Sequence, residues 1–96
     1  MTPLILPPLP ARFTHTEVKV YLQACQLVLP SGGQQVAKVW QLPAGALLEF
    51  DSSALAVCLS LRRQALAQAA EFQILDCPSR LRDLSTLYGV YELLAA

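Results

Sequence analysis

An acid and two hydroxyls, Asp51, Ser52 and Ser53, interrupt the otherwise apolar stretch EFDSSALAVCLSL at 49–61. With the only histidine, His15, they supply the serine, imidazole and carboxylate that a hydrolytic triad needs. The surrounding sequence argues against that chemistry, because no G-x-S-x-G motif encloses either serine. Asp51 also stands where a helix is predicted to begin, and its carboxylate is then used by backbone amides. We expect no catalytic residue and no enzymatic activity.

Two interpretations of the hydroxyl pair stay open. A helix begins with free amide hydrogens and the positive end of a dipole, so Asp51, Ser52 or Ser53 as the N-cap explains the polar residues. The other interpretation is a binding surface. The turn follows a predicted core strand, and α/β sheets usually place ligands and contacts at the carboxyl ends of their strands.

Composition limits the classes of function that the chain is expected to serve. Its 96 residues predict a single domain over 1–96, since they can fill one hydrophobic core but not two. Hydrophobic residues make up 54% and charged residues 15%, an apolar surplus that we expect a partner to cover in part. Seven Lys and Arg balance seven Asp and Glu, so nucleic acid and anionic membrane surfaces are not expected partners.

The distribution of apolar residues bears on location. No apolar run reaches the roughly 18 residues that a bilayer-spanning helix needs. The opening MTPLILPPLP lacks a positive n-region and is interrupted by prolines, so it makes a poor secretory signal. We expect a cytoplasmic protein with no direct membrane insertion.

The cysteines indicate packing and not chemistry. Cys25, Cys58 and Cys77 are odd in number, far apart and set in apolar segments, as reduced core thiols are. Zinc sites require Cys and His at closer spacing than this chain offers. We therefore expect no disulfide, no metal site and no cofactor.

Hydrophobic spacing and capping residues predict alternating strands and helices, the pattern of an α/β fold with about three helices. The predicted strands are 4–6, at a sheet edge because prolines surround it, 34–42, covered on both faces, and 72–75. The predicted helices begin at a Thr14–Glu17 capping box, near 54 after the acid and hydroxyls, and at Pro78 as a first helical residue. They end at PSGG (30–33), at Ala70 and at Gly89. An apolar stripe of the first helix is formed by Val18, Leu22, Cys25 and Leu29.

The same stretches resemble a known family. EFDSSALAVCLSL is similar to the signature of STAS domains, the sulphate-transporter and anti-sigma-antagonist family, in which a strand runs into D-[ST]-[SGA]-[GA]-L and then a helix. ILDCPSRLRDLSTLYGVYELL at 74–94 looks like the last strand and helix of that family, and THTEVKVYLQACQLVL at 14–29 like its first helix. The resemblance covers about residues 4–94. It implies a STAS-like mixed β-sheet and leaves open whether the family's first strand is missing.

The resemblance also implies a site and a partner. In STAS domains the first hydroxyl after the aspartate is a phosphorylation or partner-contact position, which maps onto Ser52, with Asp51, Ser53 and Leu55 around it. The branch that the chain resembles most is the MlaB-type subunit of the bacterial phospholipid ABC transporter. Such a subunit binds the ATPase in the cytoplasm and is peripheral to the inner membrane through the complex. The alternative is an anti-sigma-factor antagonist whose Ser52 is phosphorylated by an anti-sigma factor kinase.

Two positions depart from the family pattern. The strand before the signature often ends in an acid, whereas this chain has QLP at 41–43, which weakens the expectation of a phosphorylation or nucleotide-linked pocket. The glycine common after the second hydroxyl is replaced by Ala54.

Overall fold

In the computed structural model, which describes residues 3–28 and 38–90, each of three helices follows one or two short strands along the chain. In chain order the elements are β1 (Leu4–Ile5), β2 (Arg12–Phe13), α1 (Val18–Val28), β3 (Val39–Pro43), β4 (Glu49–Phe50), α2 (Ser52–Ala67), β5 (Glu71–Leu75) and α3 (Ser79–Leu87). The predicted α/β class with three helices is confirmed within those ranges. The predictions for Leu29, the PSGG stop, the strand residues 34–37 and the tail after 90 lie outside the described residues.

The larger sheet has the order β1-β3-β5, with all neighbours parallel. Leu4, Trp40 and Phe72 are in register across it, and this row belongs to the hydrophobic core. Burial alternates along β3, where Trp40 and Leu42 are buried and their neighbours are half-buried. The predicted coverage is therefore complete on the face that packs on the core and partial on the other face.

A second, two-stranded sheet pairs β2 with β4 in parallel, with Phe13 opposite Phe50. The sequence pattern predicts no strand at β2, because two residues are too few to show periodicity. It predicts a core strand before Asp51, whereas that strand, β4, lies in the smaller sheet. All pairings among the described strands are parallel, although the resemblance implies a mixed sheet.

The start of α1 only partly follows the predicted capping box. The Glu17 carboxylate does reach back and accepts from the Thr14 backbone N–H at 2.8 Å. The Glu17 N–H, however, donates to the Thr14 carbonyl at 3.0 Å and not to its hydroxyl, so a turn precedes the helix, which begins at Val18. Tyr21 and Cys25 form the buried side of α1, and the Tyr21 ring meets Phe13 edge-on with centroids 5.2 Å apart.

The helix α2 is the central element of the core. Its buried residues are Ala54, Leu55, Val57, Cys58, Leu61 and Ala65. The helix ends at Ala67, three residues before the predicted end. The cause is a backbone reversal at Ala69, whose φ is +58°, together with a hydrogen bond of 2.8 Å from the Ala70 N–H to the Ala65 carbonyl. This is a Schellman-type end that normally uses glycine.

The helix α3 begins and ends close to the predicted residues. Pro78 is the N-cap, in extended backbone, and not the first helical residue, so the helix starts at Ser79. Gly89 has a φ of +73° and ends the helix, as predicted. None of the helices within residues 3–28 and 38–90 combines the length and apolar composition required to cross a bilayer.

The left-handed backbone at Ala69 gives a stability prediction. Replacing Ala69 by glycine removes the clash of the Cβ at φ +58° and should raise the free energy of unfolding by about 1 kcal/mol. Ala56→Gly is the matched control, at an exposed position inside α2, and should lower it by about 1 kcal/mol. Urea unfolding measures both. An unchanged or lower value for Ala69→Gly would contradict the assigned helix end.

Candidate functional site

The candidate site is built by the pairing of β2 with β4. Because the strands are parallel and Phe13 lies opposite Phe50, the chain leaves both strands at the same edge. Asp51 follows one strand directly and His15 follows the other by two residues. This brings the starts of α1 and α2 together, although 36 positions separate the two residues in sequence.

The carboxylate of Asp51 joins these two helix starts. One oxygen, Oδ1, accepts from the Ser53 backbone N–H at 2.8 Å, which makes Asp51 the N-cap of α2, as the capping interpretation predicts. The other oxygen, Oδ2, accepts from the His15 backbone N–H at 3.2 Å. The His15 ring Nδ1 lies 3.4 Å from the same oxygen. The side chain therefore caps one helix and fastens the turn before the other.

These hydrogen bonds act on the charge of both acids at the site. Amide donors favour the ionised carboxylate, and the N–H of Ser53 above all lowers the pKa of Asp51 from 3.8 to about 2. Hydrogen bonds from Thr16 and then Thr14 lower the pKa of Glu17 from 4.5 to about 2. Arg12 lies 3.8 Å from Glu17 in an exposed ion pair and adds little. At neutral pH the edge carries two fixed negative charges.

The predicted site residues are not equally accessible. Ser52 is exposed as the first residue of α2, and Ser53 and Asp51 are half-buried. Leu55 is only 2% exposed and lies in the hydrophobic core. The expectation that Leu55 supplies contact area is therefore corrected: the helix turns its side chain inward, where it packs in the core.

Exposed apolar side chains lie on both sides of Ser52 along the chain. Leu48 is 71% exposed just before β4, and Ala56 is exposed one turn after Ser52 on the same helix. Phe50 is half-buried, and the Arg80 guanidinium lies over its ring at 5.6 Å from the centroid, a cation–π contact. The start of α3 thus borders the same surface, with a cation beside the aromatic ring.

The structure brings together two members of the hydrolytic triad that the residue types allow. His15 and Asp51 are in contact, as a base and its orienting acid would be. The Ser52 hydroxyl makes no hydrogen bond to His15 within residues 3–28 and 38–90. The His15 side chain is 80% exposed, and the Asp51 carboxylate is occupied by amides. The pair is thus a structural link between two turns.

The cysteines are free thiols inside or at the edge of the core. Cys25 and Cys58 are buried and Cys77 is half-buried. Cys58 is buried, as expected, and this burial raises the pKa of its thiol to about 12, so the thiol is protonated at neutral pH. In the part of the chain that the structure describes, no group of three or more His, Cys, Asp or Glu could hold a metal ion.

Two contributors to the site are not predicted from the sequence. The sequence pairs His15 with Asp51 only in the hydrolytic triad that it argues against and gives Arg80 no role, whereas the fold places His15 beside Asp51 and Arg80 over Phe50. A weak signal does exist, since both residues lie near the start of a helix, and helices that follow parallel strands begin at the same sheet edge.

Comparisons with models of protein families, with curated proteins and with solved structures give no match for this chain.

The lowered pKa of Asp51 gives a pH prediction. The folded-state pKa of about 2 lies below the ordinary 3.8, so this carboxylate stabilises the fold above about pH 4 and loses that contribution between about pH 4 and 2. In Asp51→Asn, which keeps a good N-cap but cannot titrate, the free energy of unfolding should fall less steeply over that range than in the unmodified protein. Urea unfolding at several pH values measures the slope.

The control is Asp83→Asn, which removes an exposed acid that has no hydrogen-bond or ion-pair partner among the described residues. Its slope should match that of the unmodified protein. Equal slopes for Asp51→Asn and Asp83→Asn would contradict the role assigned to the Asp51 carboxylate.

Proposed function

We propose that the chain is a non-enzymatic, cytoplasmic STAS-type subunit that binds the ATPase of an ABC phospholipid transporter and supports its activity in maintaining outer-membrane lipid asymmetry. The observation that carries this proposal is the exposed Ser52 directly after the fastened Asp51 cap, at the position that the STAS signature assigns to partner contact. The protein would be peripheral to the inner membrane only through this complex.

Rigidity of the site supports a docking role. The Asp51 carboxylate is held by amides from two segments, so the first turn of α2 has one defined position. A partner that binds Ser52 then loses little free energy in ordering the surface, which favours affinity. A hydroxyl that served only as a cap would be turned toward backbone amides, and that task is already met by Asp51.

The composition around Ser52 also supports contact with a protein. Leu48 is exposed and Phe50 is half-buried just before Ser52 in the chain, and Ala56 contributes an exposed methyl group on α2. Arg80 contributes a cation at the border through its contact with the Phe50 ring. An apolar centre with an arginine and an aromatic ring beside it is typical of protein interfaces.

The test is recovery of the ATPase with the tagged chain from native cells. Ser52→Arg places a long charged side chain on the proposed contact and should reduce recovery of the ATPase at least about tenfold, the effect of a buried unpaired charge. Ala67→Arg is the matched control, because it adds the same charge at an exposed position of the same helix about 22 Å away. It should leave recovery unchanged.

Thermal unfolding of both variants separates loss of contact from loss of folding. If the unmodified chain recovers no ATPase, or if Ser52→Arg and Ala67→Arg recover it equally, the proposal is wrong.

The alternative is an anti-sigma-factor antagonist regulated by phosphorylation of Ser52. One observation favours it: the Ser52 hydroxyl is exposed and makes no hydrogen bond within the described residues, so a kinase can reach it. A phosphate there would be tolerated by the helix N-terminus but would disturb an apolar contact around Leu48. Binding of an anti-sigma factor kinase would then be switched by charge repulsion.

Intact mass of the protein from native cells tests this alternative. The mass increment of one phosphate should disappear in Ser52→Ala and persist in Ser53→Ala, whose neighbouring hydroxyl is half-buried. Absence of the increment under all growth conditions, or its loss in Ser53→Ala alone, would contradict regulation at Ser52.

A further inference from the structure

The two edges of the main sheet differ in how they are protected. The edge strand β1 is surrounded by Pro3, Pro7, Pro8 and Pro10, which lack the N–H groups that a further strand would need. The opposite edge strand, β5, has the sequence EFQIL and contains no proline or lysine. Natural sheets usually block an exposed edge with such residues, so an unblocked edge indicates a partner strand.

The register shows which peptide groups of β5 face outward. The Glu71 N–H donates to the Lys38 carbonyl at 2.8 Å, and the Leu75 carbonyl accepts from the Ala44 N–H at 2.9 Å, so Glu71, Gln73 and Leu75 face β3. Because strand residues alternate in direction, the N–H and C=O groups of Phe72 and Ile74 face away from the sheet. These four groups have no hydrogen-bond partner among the described residues.

We infer that β5 pairs with β5 of a second copy of this chain, antiparallel and centred on Gln73. In that register Phe72 lies opposite Ile74 of the other copy, and each such pair exchanges both of its backbone hydrogen bonds. The two pairs related by the two-fold axis therefore satisfy all four outward groups on each strand. The two sheets become one continuous six-stranded sheet.

The charges and side chains of β5 fit this arrangement with a second copy. Glu71, the only charged residue of the strand, lies opposite Leu75 of the other copy and not opposite its own equivalent, so no like charges meet. The Gln73 Oε1 accepts from the Gln41 Nε2 at 3.2 Å, which leaves the Gln73 amide N–H groups available to the same residue across the axis. Phe72, Ile74 and Leu75 are half-buried and would lose further apolar surface.

The contact is small, since only five residues of each strand take part. Such a contact remains below the roughly 1,200 Å² of a stable interface and predicts a weak, reversible dimer with a Kd of about 10 µM to 1 mM. The dimer is independent of the proposed function, because β5 does not contribute to the surface around Ser52.

Sedimentation equilibrium over about 10 µM to 1 mM of the full chain tests the dimer. Gln73→Lys brings two ammonium groups face to face at the axis and should raise the dimer Kd at least about tenfold. Gln41→Lys is the matched control, since it loses the same Gln41–Gln73 hydrogen bond and adds the same charge one strand further in. Its two added charges would lie about 14 Å apart, beyond the screening length, so its Kd should stay within about threefold of the unmodified value.

A cross-link tests the register. Gln73 and its equivalent form a pair without mutual backbone hydrogen bonds, with Cα atoms about 4.5 Å apart, which suits a disulfide. Gln73→Cys should give a dimer linked through position 73 under mild oxidation, and Gln41→Cys should not.

A monomer over the whole concentration range, equal Kd values for the two lysine variants, or linkage only through Cys77 would overturn the inference. Binding of an extended peptide from another protein by a chain that stays monomeric would assign the edge to that protein instead.

Discussion

The site depends on the hydrogen bonds that the Asp51 carboxylate accepts from two backbone amides. The amides are those of Ser53 and His15, so one charged group fixes the first turn of α2 and the turn before α1. The short β2–β4 pairing makes this possible by bringing the two chain segments to one edge. Because amide donors favour the ionised carboxylate, the same geometry keeps the charge in place well into the acid range.

In this arrangement one residue, Asp51, caps the helix, and the next, Ser52, is exposed at the surface. Ser52 lies in a first turn that the Asp51 carboxylate holds by a hydrogen bond. Leu55 and Cys58, one and two turns further along, anchor the same helix in the core. A partner that bound here would contact the Ser52 hydroxyl and the apolar side chains of Leu48 and Ala56. A surface whose first turn is already held by hydrogen bonds loses little conformational entropy on binding.

The sheet is asymmetric in two respects. One face carries Trp40, Leu42 and the core, while the other carries Gln41 and Gln73, joined by their side-chain amides. One edge is blocked by prolines, whereas the other leaves the peptide groups of β5 open among the described residues. The proposed partner contact at the helix starts and the proposed pairing at the open edge use different residues.

The sequence by itself determined the features that depend on neighbouring residues. Asp51 as N-cap and the stop at Gly89 follow from backbone hydrogen bonding and conformation within a few positions, and the burial of Cys58 follows from the apolar segment around it; each prediction is confirmed. Only the tertiary structure decided that Leu55 faces inward, that His15 meets Asp51 and that Arg80 covers Phe50. The last two contacts join segments tens of residues apart, through strands too short to have a periodic pattern, and local propensity carries no information about them. Leu55 lies on a helix that is apolar on nearly all sides, so its spacing alone does not reveal which side chains face the core.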